Sequence, residues 1–164
     1  MPEYTQEEWD FAAELNATCP PSDELPGHGT KIVPEIYEAV AELSEGGTKP
    51  LNDFTVPFYS GSEFSPGSTD LGDVSWQTPM VQINTTCFAA RSPGHSWQNV
   101  SCGASSIGDK GTVYAAKVMA CTAADIFDCP AIAAEAEAER RARLQTEEYI
   151  CPIPPDAMPY IIEE

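Results

Sequence analysis

The chain has 164 residues, 42% of them apolar, which is enough to fill the core of one ordinary domain and argues against a disordered or fibrous class. A formal charge of −18 repels nucleic acid and anionic membrane surfaces, so neither is expected as a partner. No window approaches the roughly 20 continuous apolar residues of a membrane span, because the longest candidate, Val113 to Ala124, is interrupted by Lys117.

The N-terminus, Met-Pro-Glu-Tyr-Thr-Gln-Glu-Glu, lacks the basic and apolar regions of a secretory leader, and a cytoplasmic location is expected. Thr5 followed by Glu8 fits a capping box, and Trp9, Ala12, Ala13 and Leu15 supply helical spacing, so a helix is predicted over 6–17 before Cys19-Pro20-Pro21. Residues 20–30 are turn-rich. Ile32, Val33, Ile36, Val40 and Leu43 mark an amphipathic or mixed segment closed by Gly46-Gly47, and 44–79 read as a long ordered loop.

Met80 to Phe88 alternates and carries Val81, Ile83, Thr85 and Thr86, which predicts a strand; the Arg91-Ser-Pro-Gly94 turn after it would bring His95 to a sheet edge. Residues 105–127 form the strongest helical pattern, apolar nearly all round and therefore expected to be buried. Pro130 suits the first turn of a second helix that runs to about Tyr149, with Arg140, Arg141 and Arg143 near its end. The proline-rich stretch from Cys151 to Glu164 reads as an extended surface tail.

Few residues here carry chemistry. Six cysteines show no CxxC or CxxxC spacing, which points to free thiols and not to a metal finger or disulfide framework. Three glycosylation sequons, beginning at Asn16, Asn84 and Asn99, matter only in a secreted chain. The two histidines, His28 and His95, lie outside any HxxxH, HExxH or HxD pattern, and by their local setting alone both read as loop histidines. Asp70 and Asp73 read as turn or cap aspartates, and Cys87 and Cys102 lack a basic neighbour in sequence.

Four stretches then occur in order: Gly67-Ser-Thr-Asp-Leu-Gly-Asp-Val-Ser-Trp76, Pro93-Gly-His-Ser-Trp-Gln98, Ser105-Ser-Ile-Gly-Asp-Lys-Gly111 and Ala115-Ala-Lys-Val118. Together they resemble the closing third of a B-type amidohydrolase of the aminobenzoyl-glutamate utilization family. The Tyr4-Thr-Gln-Glu-Glu8 and Pro152-Ile-Pro-Pro-Asp156 stretches extend the likeness over essentially the whole chain.

The resemblance implies an α/β fold, the C-terminal part of a zinc-peptidase-like catalytic domain over 1–164: a partial sheet flanked by helices, with long ordered loops and an extended tail. It also implies a two-zinc site hydrolysing the amide of an N-acyl amino acid such as p-aminobenzoyl-glutamate. His95 matches the family's last metal ligand, and Gly67, Ser68 and Thr69 resemble a small-residue loop near the substrate carboxylate. Asp109 stands where relatives read histidine.

The family's His-x-Asp motif, bridging aspartate and Glu-Glu pair have no counterpart; Glu7-Glu8 and Glu147-Glu148, read as surface helical pairs, do not match. The expectation is a gene fragment, one half of a split enzyme or a partial chain that is inactive alone and holds no zinc pair. A complementary or full-length homologous chain is the implied partner. The alternative is a non-catalytic interaction protein that keeps the scaffold and pairs with a full-length relative, and a third reading is a secreted disulfide domain.

Overall fold

The computed structural model of the chain describes residues 1–21, 25, 34–59 and 69–158. Among them are six helices: α1 (Gln6–Ala17), α2 (Pro34–Leu43), α3 (Leu71–Gln77), α4 (Trp97–Gly103), α5 (Ser106–Asp128) and α6 (Pro130–Leu144). The described chain divides into two compact units, one built from 1–66 and 83–122 and the other from 67–82 and 123–164.

The expected α/β architecture is not what forms, because no strand occurs among the described residues. Residues 80–88 are irregular, and the alternation read there as a strand reports half-burial, which need not come from strand pairing. The neighbouring 50–57 stretch brings Pro50 and Pro57, which have no amide to donate. Side chains take carbonyls that a ladder would use: the Thr86 hydroxyl donates to Asn52 O at 2.6 Å, Thr85 to Gly111 O at 3.2 Å and Tyr4 to Thr86 O at 3.4 Å. The Ala90 amide does reach Pro50 O at 2.8 Å.

In the first unit, Ala12 and Leu15 of α1 pack with Leu51, Ala89, Cys102 and Ile107, and Tyr4, Trp9 and Phe11 cover this cluster. Ile36 and Val40 of α2 form a smaller cluster with Leu25, Phe54 and Val56. The capping box at α1 is present, with the Glu8 amide donating to Thr5 Oγ1 at 3.3 Å and the Thr5 amide to Glu8 Oε2 at 2.7 Å.

Glu8 is not a surface residue. It is buried, and it receives Ser106 Oγ at 2.5 Å and Lys110 Nζ at 2.6 Å from the start of α5. Two of the stretches that carried the family likeness, Tyr4–Glu8 and Ser105–Gly111, therefore meet at a polar hub that holds the unit together. Burial alone pushes the Glu8 carboxyl up, but the bonds from Lys110, Ser106 and the Thr5 amide, with the Lys110 charge, outweigh it and hold the group at about 2.

A lowered native pKa means that the contribution is complete above the ordinary carboxylate range and is lost as pH falls toward about 2. Glu8→Gln is expected to cost about 2 kcal/mol at pH 7, since it breaks a buried, charge-assisted network. Urea denaturation of both proteins from pH 7 to pH 2.5 checks this. The difference should shrink through the window from about 4.5 to about 2, and a pH-independent difference would rule out the ionised hub.

Helix α5 is less buried than its apolar pattern suggests, for Ile107, Gly108 and Gly111 in its first turns are its buried residues. The second unit contains no buried residue among those described. Helix α6 begins at Pro130 as expected but ends at Leu144, short of Tyr149. Among the described residues no helix is long and apolar enough to cross a membrane.

Candidate active-site loop and cleft

The residue matching a metal ligand, His95, is exposed and lies in a turn and not at a sheet edge. Its backbone is left-handed, with φ of 56°. Glu45 and Gln145 also have positive φ, but Glu45 follows the end of α2 and Gln145 is the C-cap of α6. His95 instead precedes α4. Ser96, the N-cap, accepts the Asn99 amide at 3.3 Å and donates its hydroxyl to Pro93 O at 2.7 Å, which fixes the turn around the histidine. A non-glycine residue held left-handed outside a helix C-terminus is the kind of strain that collects at functional sites.

The end of α1 anchors this loop on both sides. Asn16 Oδ1 accepts the Arg91 amide at 2.9 Å while its amide nitrogen donates to Pro50 O at 3.1 Å. Beyond the histidine, the buried Gln98 donates to the Thr18 hydroxyl at 3.1 Å. The Asn16-Ala-Thr18 triplet, read from the sequence as a possible sequon, thus uses both polar side chains as a clamp. Sequence reasoning missed these two residues, and nothing local could have shown that their partners lie near position 91.

An open cleft of about 890 Å³ adjoins the loop. Pro93 and Gly94 form part of its wall, with Phe54, Tyr59, Thr85 and Tyr114 among the other lining residues. Among the described lining side chains there is no carboxylate, and Arg91 brings a positive charge. Tyr4 remains a phenol donor, because burial, followed by Cys87 and Glu8, pushes it up to about 12.

The other candidates fall differently. Gly67, Ser68 and His28 lie outside the described residues. Thr69 belongs to the second unit, where its hydroxyl accepts the Leu71 amide at 3.4 Å at the start of α3. Asp70 caps α3 by position without a side-chain bond, and Asp73 accepts the Tyr149 hydroxyl at 3.1 Å. Asp109 is exposed. All six cysteines are unpaired, and burial pushes the Cys102 thiol up.

No group of three or more His, Cys, Asp or Glu that could hold a metal occurs among the described residues. His95 offers one donor where each zinc takes about four, so the described residues do not by themselves fit a zinc pair.

The chain is 34% identical over 159 residues, 96% of its length, to the B-type subunit of p-aminobenzoyl-glutamate hydrolase from Escherichia coli (strain K12). It spans about a third of that relative's length, 33%. No family model matches the chain, and no solved structure matches it.

Proposed function

We propose, from a chain that is a C-terminal-like segment of the p-aminobenzoyl-glutamate hydrolase type, that it supplies one part of an amide hydrolase for N-acyl amino acids. The observation that carries this reading is identity along nearly the whole chain with a third of a relative named for that hydrolysis. The left-handed His95, held between two anchors beside an open cleft, supports it.

In this reading His95 is one ligand of a zinc centre whose other ligands come from a complementary chain. The cleft beside it receives the substrate. The residues of the present chain hold and orient; the general-base carboxylate belongs to the complement, as Glu8, fully engaged by Ser106 and Lys110, cannot take that role.

The test is to co-express the chain with the part of the Escherichia coli relative outside the matched third and to follow release of p-aminobenzoate from p-aminobenzoyl-glutamate at pH 7 with zinc. Hydrolysis by the pair and none by either chain alone is expected. Equal activity from this chain alone would show that the chemistry has been assigned to the wrong polypeptide.

A further inference from the structure

The cleft beside the His95 turn, about 890 Å³, lies within the usual range of small-molecule sites, about 300–1,000 Å³. Phe54, Tyr59 and Tyr114 bring aromatic rings to its wall. Two hydroxyls of that wall are bonded inside the protein, since Thr85 donates to Gly111 O at 3.2 Å and Thr86 to Asn52 O at 2.6 Å. Two other oxygens are not. Ser92 Oγ and Asn99 Oδ1, on cleft-lining residues at either side of His95, are buried and find no hydrogen-bond partner among the described residues. A buried oxygen without a donor bears a desolvation cost that nothing offsets, and native interiors leave few such groups. The backbone beneath both is already committed: the Ser92 amide donates to Ala89 O at 3.0 Å and the Asn99 amide to Ser96 Oγ at 3.3 Å. Only the two short side chains are left to turn toward a donor that enters the cleft.

We infer that this cleft is a subsite for an aryl group bearing an N–H donor, with Asn99 Oδ1 and Ser92 Oγ as the acceptors that select it. The amide oxygen of asparagine can only accept, so a ligand carbonyl gains nothing from it, and the serine hydroxyl can accept a second N–H. The rings of Phe54, Tyr59 and Tyr114 favour an aromatic ligand, because offset and edge-on ring pairs gain more than the area they bury. The inference rests on the proposed function for the amide to which this aryl group belongs, and on the cleft and its two unpartnered oxygens for the selection.

Titration of the full chain with neutral esters, followed by NMR of the backbone amides, tests the inference. The probes are methyl p-aminobenzoate, methyl p-methylbenzoate, in which a methyl of similar size replaces the amino group, and methyl cyclohexanecarboxylate. Shifts are expected at 83–94, Asn99 and Tyr114. The amino ester should bind about fivefold to tenfold more tightly than the methyl analogue, the worth of one net hydrogen bond, and the cyclohexane ester most weakly. Asn99→Leu should bring the two aryl esters to within about twofold of each other while the methyl analogue keeps its affinity. Ser92→Ala, the smaller change, should narrow the same gap. Neither substitution removes a hydrogen bond of the free chain, so neither should lower its thermal midpoint.

Equal affinities of the two aryl esters for the parent chain, no binding of either, shifts confined to residues outside the cleft, or a preference that survives both substitutions would overturn the inference. A lower midpoint in both variants would overturn it too, by showing that an ordered water already satisfies these oxygens. A preference governed by Asn99 and Ser92, without p-aminobenzoate release by the paired chains, would sink the proposed function and leave the subsite standing. Release by the pair with KM and kcat unmoved in both variants would do the reverse.

Discussion

Replacing Gly111 by Ala is expected to destabilise the first unit by about 3 kcal/mol or more, enough to unfold much of it at 37 °C. Helical glycine is ordinarily improved by alanine, by up to about 1 kcal/mol, so the expected sign is opposite to propensity. Packing decides. A Cβ at Gly111 would run into the Thr86 carbonyl oxygen and stand 2.6 Å from Cys87 Sγ, and a Cβ at Gly108 would overlap the Gly103 carbonyl. Backbone cannot swing aside as a flexible side chain can, so helix α5 must lift from the 86–90 segment that carries core residue Ala89.

Cys87→Ala in the Gly111→Ala background should recover only part of the loss, since the Thr86 carbonyl remains. Gly72→Ala supplies the control, for nothing lies within 4 Å of its added Cβ, and there α3 should be unharmed or slightly stabilised. Urea denaturation followed by far-UV circular dichroism measures all four proteins. Equal midpoints for Gly111→Ala and the parent would refute the close approach.

The second large effect concerns catalysis. In the paired chains, His95→Asn is expected to reduce p-aminobenzoate release by a factor of about 1000 or more, on the scale of losing a transition-state contact or ligand. Asparagine is the preferred substitute because it tolerates the left-handed backbone at φ 56°, whereas alanine adds strain there and confounds the reading. His95 is exposed, so the thermal midpoint of the chain should not move. Asn16→Ala should lower the rate less than His95→Asn does, by loosening the Arg91 side of the loop. His28→Ala should leave it intact. A His95→Asn pair as active as the parent would mean that the family likeness had been carried to the wrong residue.

These effects lie at different distances from what the sequence reveals. Helix α1 is legible because its signal is local: Thr5 and Glu8 sit three residues apart and cap the same turn. Pro130 marks the start of α6 for the same reason. Helices α3 and α4 were hidden because each has seven residues, and α3 follows an Asp70 that makes no side-chain cap bond. The predicted strand failed at Thr85 and Thr86, whose β-favouring side chains spend their hydroxyls on Gly111 and Asn52 carbonyls instead of lining a sheet.

At the candidate site, Pro93-Gly94 revealed a turn, and the family likeness selected its histidine. The clamp from Asn16 and Thr18 acts across 75 and 80 residues of chain, a separation on which local patterning is silent. Glu8 teaches the same lesson. Its capping role was readable three residues away, while its burial against Ser106 and Lys110 depends on contacts 98 and 102 residues distant.

Metal analysis of the purified pair most directly tests whether this chain contributes His95 to a hydrolytic zinc centre. After dialysis, the parent pair is expected to retain two zinc ions, the His95→Asn pair at least one fewer, and this chain alone none held tightly, in keeping with about four ligands per ion. Two tightly held zinc ions in the isolated chain, or undiminished zinc in the His95→Asn pair, would contradict that assignment.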